Sequence, residues 1–161
     1  MSKNMKKIFL IVLAFAALSI PAMAQEVGAK TSSSVVSRKF DKVPQEIKSK
    51  VSEFFKFTIK GEVTLAFNRF LEKSPLMDKQ EEMSNLIKQT NRSFDIYGQM
   101  KGYEEVEVEN VTESFMRLRY ISLHTKYPLR WIFTFYNSPD FGWIAVNVKF
   151  DDLSEFFFKQ D

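Results

Sequence analysis

Cysteine is absent from all 161 residues, and histidine occurs once, at position 124. The first absence excludes thiol nucleophiles, thiolate metal centres, disulfide exchange and the lipid-modified cysteine of a bacterial lipoprotein. The second excludes a multi-histidine metal site. Glycine and proline occur five times each. None of the glycines belongs to a phosphate-cradling loop, and neither a serine elbow nor a metalloprotease signature is present. Long apolar runs are missing too. The longest, residues 8–20, spans 13 positions with only Ser19 polar, whereas a membrane-spanning helix needs about 20.

That short run has a specific setting. Lys3, Lys6 and Lys7 precede it without an acid, Pro21 breaks it, and Ala22, Met23 and Ala24 follow. A basic start, a short apolar core and a small-x-small exit are the three parts of a secretory signal peptide. The expectation is a signal over residues 1–24 cleaved after Ala24, with Ala22 and Ala24 read by the peptidase. The mature protein is then periplasmic or secreted from a bacterium, with no stable membrane anchor after cleavage. Of 23 Lys and Arg residues three leave with the signal, so 20 remain against 20 Asp and Glu. A neutral mature chain gives no electrostatic ground for nucleic-acid binding, and none is expected.

Seventeen phenylalanines are present, fifteen of them beyond residue 24. With no cross-links, these rings must supply much of a core. Residues 25–40 are polar and serine-rich and read as a flexible leader. Residues 41–150 read as one domain, and 151–161 as an acidic, aromatic C-terminal tail. Within the domain, a helix is expected from Pro44, with Ile47, Val51, Phe54, Phe55 and Thr58 on one face. A second stripe is Val63, Ala66, Phe67, Phe70 and Leu71. Ser74 and Pro75 suit the cap and first position of a third helix, carrying Met83, Leu86, Ile87 and Thr90. Residues 91–102 read as a helix end and loop.

From Tyr103 the period becomes two. Four strands joined by short turns predict an antiparallel meander, so the fold class is α+β: about three N-terminal helices packed on one face of a four-stranded sheet. Pairing Glu107 with Arg117 and Glu105 with Arg119 gives favourable cross-strand charges. This register predicts an inner face of Val106, Val108, Met116, Leu118, Tyr120, Ile132, Tyr136, Ile144, Val146, Val148 and Phe150. The outer face would then hold Glu105, Glu107, Arg117, Arg119, Ile121 and Leu123 beside Trp131, Phe133, Phe135 and Trp143. An apolar patch of that size implies a cover. The alternatives are the chain's own ends, a homodimer, or a separate envelope protein partner oriented by Arg117 and Arg119.

Tyr97 and Gly98, then Gly102, Tyr103 and Glu104, then Leu118, Arg119 and Tyr120, then Pro128, Leu129, Arg130 and Trp131 with Phe133, Phe135 and Tyr136, and finally Gly142 and Trp143 give the chain its texture. In this order it resembles small exported bacterial members of the nuclear transport factor 2-like superfamily, over roughly residues 45–150. The resemblance implies a cystatin-like α+β roll whose helices and curved sheet form a cone that holds a small apolar ligand. Some members are isomerases or dehydratases, so a pocket enzyme is the alternative to a non-catalytic binding or self-association module. Asp95 or His124 would be the base of such an enzyme, and Tyr120 or Tyr136 the hydroxyl donor. The same four residues are the pocket candidates for a ligand. No cofactor is expected. The acidic groups at 104–109 and 151–155 match no calcium loop, so no metal site is expected either.

Overall fold

The computed structural model describes Phe40 and residues 42–158. The expected signal peptide, Ala22 and Ala24 within it, and the leader up to position 39 lie outside the described residues. Among the described residues from Gln45 on, three α-helices come first and four strands follow, giving the α+β class and the helix-then-sheet order expected from the pattern.

Helix α1, Gln45–Ile59, buries Ile47, Val51, Phe54, Phe55 and Thr58, the stripe that the i, i+4, i+7, i+8 spacing dictates. Thr58 satisfies its buried hydroxyl by donating to the Phe54 carbonyl at 2.7 Å. Gly61, at φ +80°, turns the chain into α2, Val63–Phe70, which buries Val63, Ala66, Phe67 and Phe70, with Leu71 buried just beyond. Ser74 does cap a helical turn with Pro75 first, but the turn is a short 3-10 segment, Pro75–Asp78. The third α-helix, α3, starts later, at Gln80, and runs to Tyr97. Residues 91–97 are therefore helix rather than loop, since the run holds no proline and its first glycine is Gly98.

The sheet has the order β1-β2-β3-β4, with β1 Met100–Thr112, β2 Phe115–His124, β3 Leu129–Ser138 and β4 Gly142–Asp151. All neighbours are antiparallel. The first hairpin turns more tightly than the charge pairing suggested. Glu107 stands opposite Arg119 and Glu109 opposite Arg117, a shift of two that keeps these four residues on one face, whereas Glu105, expected opposite Arg119 on the outer face, stands opposite Tyr120 on the inner one. Both pairs close as ion pairs. Val106 falls at a register break between Glu105 and Glu107.

The second hairpin overturns the expected faces. Leu118 stands opposite Phe133, Tyr120 opposite Trp131 and Met116 opposite Phe135. Even-numbered residues of β2 thus share a face with odd-numbered residues of β3. Trp131, Phe133 and Phe135 lie in the core, while Ile132 and Tyr136 face outward beside Arg119 and Phe115. A one-residue difference in pairing reverses a whole strand, and this reversal is favoured because it buries the larger rings. In β4 a bulge facing Thr134 and Phe135 switches parity mid-strand. Val148 and Phe150 face inward with Phe133 and Trp131, and Trp143 and Ala145 with Asn137 and Phe135. The expected continuous inner row Ile144, Val146, Val148, Phe150 is therefore broken in two.

The core is an aromatic cluster between helices and sheet. Phe54 has ring contacts to Phe67, Phe70, Trp131 and Phe133 at centroid distances of 5.0–5.5 Å. Phe70 reaches Phe133 and Phe135. Ser74 donates to the Ala145 carbonyl at 2.5 Å, so the 3-10 turn ties itself to edge strand β4.

The start of the tail is fastened as well. Asp151 takes two hydrogen bonds from Arg130, at 3.0 and 2.6 Å. Asp152 accepts from the Tyr97 hydroxyl at 2.6 Å. The Arg130 guanidinium lies 4.6 Å from the Phe156 ring centroid.

Candidate functional site

The sequence-derived candidates do not converge. Asp95 is exposed on α3, and Tyr136 is on the outer sheet face. Trp131, Phe133, Phe135 and Trp143 belong to the core rather than to a partner-facing surface. Arg117 and Arg119 do face outward, but each already holds a carboxylate. Beside them a shallow outer concavity of about 540 Å³ is lined by Val111, Phe115, Ile132 and Val146, with Arg117 and Lys149.

His124 is half-buried and held by its neighbours. Its Nδ1–H donates to the Gly98 carbonyl at 2.8 Å, which fixes the proton on that nitrogen in the neutral ring. Nε2 then accepts from the Ser122 hydroxyl at 3.1 Å. The same hydroxyl oxygen takes the Trp131 Nε1–H at 2.9 Å. This chain joins the α3 terminus, β2 and the core indole, which is a structural role. Burial pushes the imidazole below its ordinary pKa, and the Gly98 carbonyl opposes that shift.

The unfolded chain takes up the proton first, near pH 6.5, so stability is fully present above that value and declines as pH falls below it towards the depressed folded value. The midpoint of urea unfolding is expected to drop between pH 7.5 and 5.5, and His124→Asn to flatten the drop. An equal drop in the variant contradicts this assignment.

A different place offers a site. Between α1 and the start of β1 runs an open groove of about 710 Å³. One wall is the polar flank of α1, with Lys48, Ser49, Ser52 and Lys56. The other is Tyr103 and Glu105, with Tyr120 behind. The walls touch where the Tyr103 hydroxyl donates to Ser52 Oγ at 3.2 Å. Tyr103 is set in place by stacking on Phe55, centroids 4.3 Å apart. Tyr120 is thus the one sequence candidate that lines this groove. Burial, then Glu105, then Tyr103 push its hydroxyl far above the ordinary range, so it stays a neutral donor and is unsuited to acid or nucleophile work.

Neither Asp95 nor His124 lines this groove. Among the described residues no cluster of His, Asp and Glu has the arrangement to hold a metal ion. The i, i+4 row of Lys48, Ser52, Lys56 and Lys60 beside the buried stripe is the one sequence signal that marks this wall.

No protein-family model, curated protein or solved structure matches the chain.

Proposed function

We propose that the protein is a non-catalytic binding module of the bacterial cell envelope, exported by the signal over residues 1–24, that holds a small ligand in the groove between α1 and β1. The observation that carries this reading is the groove: it is open, has an aromatic back wall and is rimmed by hydroxyl and charged groups, the usual make-up of a ligand site. A cystatin-like cone of the nuclear transport factor 2-like kind, which the order of elements suggests, would place the ligand between helices and sheet. Phe54, Phe55, Phe70, Trp131 and Phe133 fill that space, so a ligand with an apolar body lies at the flank of the cone against Tyr103. The isomerase or lyase alternative has less behind it, because both of its base candidates stand away from the groove.

A second reading, self-association, draws support from the outer face, where Val111, Phe115 and Tyr136 are all more than a third exposed. One experiment covers both readings. Native and denaturing mass spectra are compared for the protein purified from its own compartment and for Ser52→Trp, which fills the groove from an exposed helix position. The expected result is an extra small mass on the native wild-type monomer that is missing from the variant. The same extra mass on the variant rules out this groove, and a ligand-free dimer moves the function to the outer face.

A further inference from the structure

The helix wall of the groove is made of hydrogen-bond donors. Lys48, Ser52 and Lys56 line it and stand one helical turn apart on α1, so an ammonium group flanks the serine hydroxyl on either side. Among the described residues neither Lys48 nor Lys56 is in an ion pair. Lys60, a turn further on, has its Nζ 5.9 Å from the Phe57 ring centroid and is drawn to that ring instead.

The serines on this wall have hydrogens to give. Ser52 Oγ accepts the Tyr103 hydroxyl at 3.2 Å, which leaves the serine's own hydrogen for an incoming molecule. Ser49 Oγ accepts from the Gln45 amide at a longer 3.5 Å and keeps its hydrogen in the same way. Two ammonium groups and two hydroxyl hydrogens are matched by a ligand that brings acceptors and negative charge.

We propose that the groove takes a small organic acid, with its carboxylate at Ser52 between Lys48 and Lys56 and its apolar body against Tyr103. The proposal rests on the groove being the ligand site and names the class of ligand held there.

The acids of the groove set the orientation. Glu105 stands on the strand wall opposite Tyr120 and is already engaged, and like charge keeps a carboxylate away from that side. Glu53 follows Ser52 by one residue and so projects about 100° further round α1, at the outer rim. The ligand's charge is thereby received on the helix wall. Its body falls on Tyr103, which is half-buried and backed by Phe55 with ring centroids 4.3 Å apart. The stems of Lys48 and Lys56 add apolar surface on the other side.

The test uses three probes with one body and different heads: naphthoate, naphthalenemethanol and naphthylmethylammonium. Each is dialysed to equilibrium against protein freed of bound mass, at low salt and near pH 7, where the acid and the amine are both charged. The acid is expected to bind about ten-fold or more tighter than the alcohol, and the ammonium more weakly than either. Lys48→Gln combined with Lys56→Gln keeps long polar side chains and removes both charges, and this double variant is expected to bind acid and alcohol alike.

An acid that binds the wild type no better than the alcohol overturns the proposal, and that arm needs no variant to fold. An acid advantage that survives in the double variant overturns it too. If the acid has no advantage while Ser52→Trp still abolishes the bound mass, the groove stands and only its choice of acids is wrong. If the advantage vanishes in the double variant while Ser52→Trp leaves the bound mass unchanged, the acid site stands and that mass is carried elsewhere.

Discussion

Phe133→Ala is expected to lower the free energy of unfolding by about 3–5 kcal/mol, and Phe133→Glu to leave no cooperative transition at all. The side chain has no measurable exposure. Its ring meets Phe54, Phe55, Phe70, Tyr120 and Trp131 at centroid distances of 5.0–5.9 Å. Truncation opens a cavity that β3 and two helices surround, and neither side can collapse far without disturbing the other. A carboxylate there is worse, because no described cation faces the position and the cost of burying an unpaired charge exceeds what a marginally stable domain has to lose. The measurement is urea unfolding followed by far-ultraviolet circular dichroism, with sedimentation in parallel. A folded Phe133→Glu protein that has merely changed its oligomeric state would show that the ring is on the outside and that the sheet faces are reversed.

Gly98→Ala is expected to be the most damaging change of a single methyl group. Gly98 closes α3 at φ +85° and ψ 177°, a region open essentially to glycine alone and costing other residues about 1–3 kcal/mol. An added Cβ would also stand 1.8 Å from Thr125 Oγ1 and 3.2 Å from Thr125 Cβ. Thr125 cannot simply withdraw, because its own amide donates to the Gln99 carbonyl at 3.2 Å and the Lys126 amide to the Tyr97 carbonyl at 2.9 Å. Adding Thr125→Gly should recover the steric part and leave the backbone part, so the double variant lies between wild type and Gly98→Ala in chemical denaturation. Gly98→Ala with an unchanged midpoint means that the junction of α3 and β1 is not held as described.

The two kinds of element differed in how openly the sequence displayed them. The stripes on α1 and α2 depend only on the angle between successive residues of one helix, so Ile47, Val51, Phe54 and Phe55 identify their own face. A strand also identifies two faces, but which of them is inside depends on how it is joined to its neighbour. Cross-strand charge fixed the face of Glu107, Glu109, Arg117 and Arg119, since a shift of two leaves those side chains on their side, but the break at Val106 carries Glu105 to the inner side opposite Tyr120. No such signal links β2 to β3. The presence of Trp131, Phe133 and Phe135 on one side of β3 was the better guide, because leaving three large rings outside costs more than any turn preference. The bulge in β4 is invisible in a pattern of alternate valines. The groove was least legible of all, because its walls, Ser52 and Tyr103, are 51 positions apart in sequence and meet only when α1 lies across the sheet.

The bulge and the closing contacts of β4 also govern when the molecule can fold. Val148 and Phe150 complete the layer around Phe133 and Trp131, the Ala145 carbonyl receives Ser74, and Asp151 and Asp152 secure Arg130 and Tyr97. All five positions are made after the helices and the first three strands, and each answers a partner made earlier. A chain growing from the ribosome can form its helices locally, but the core stays open until the last strand is available.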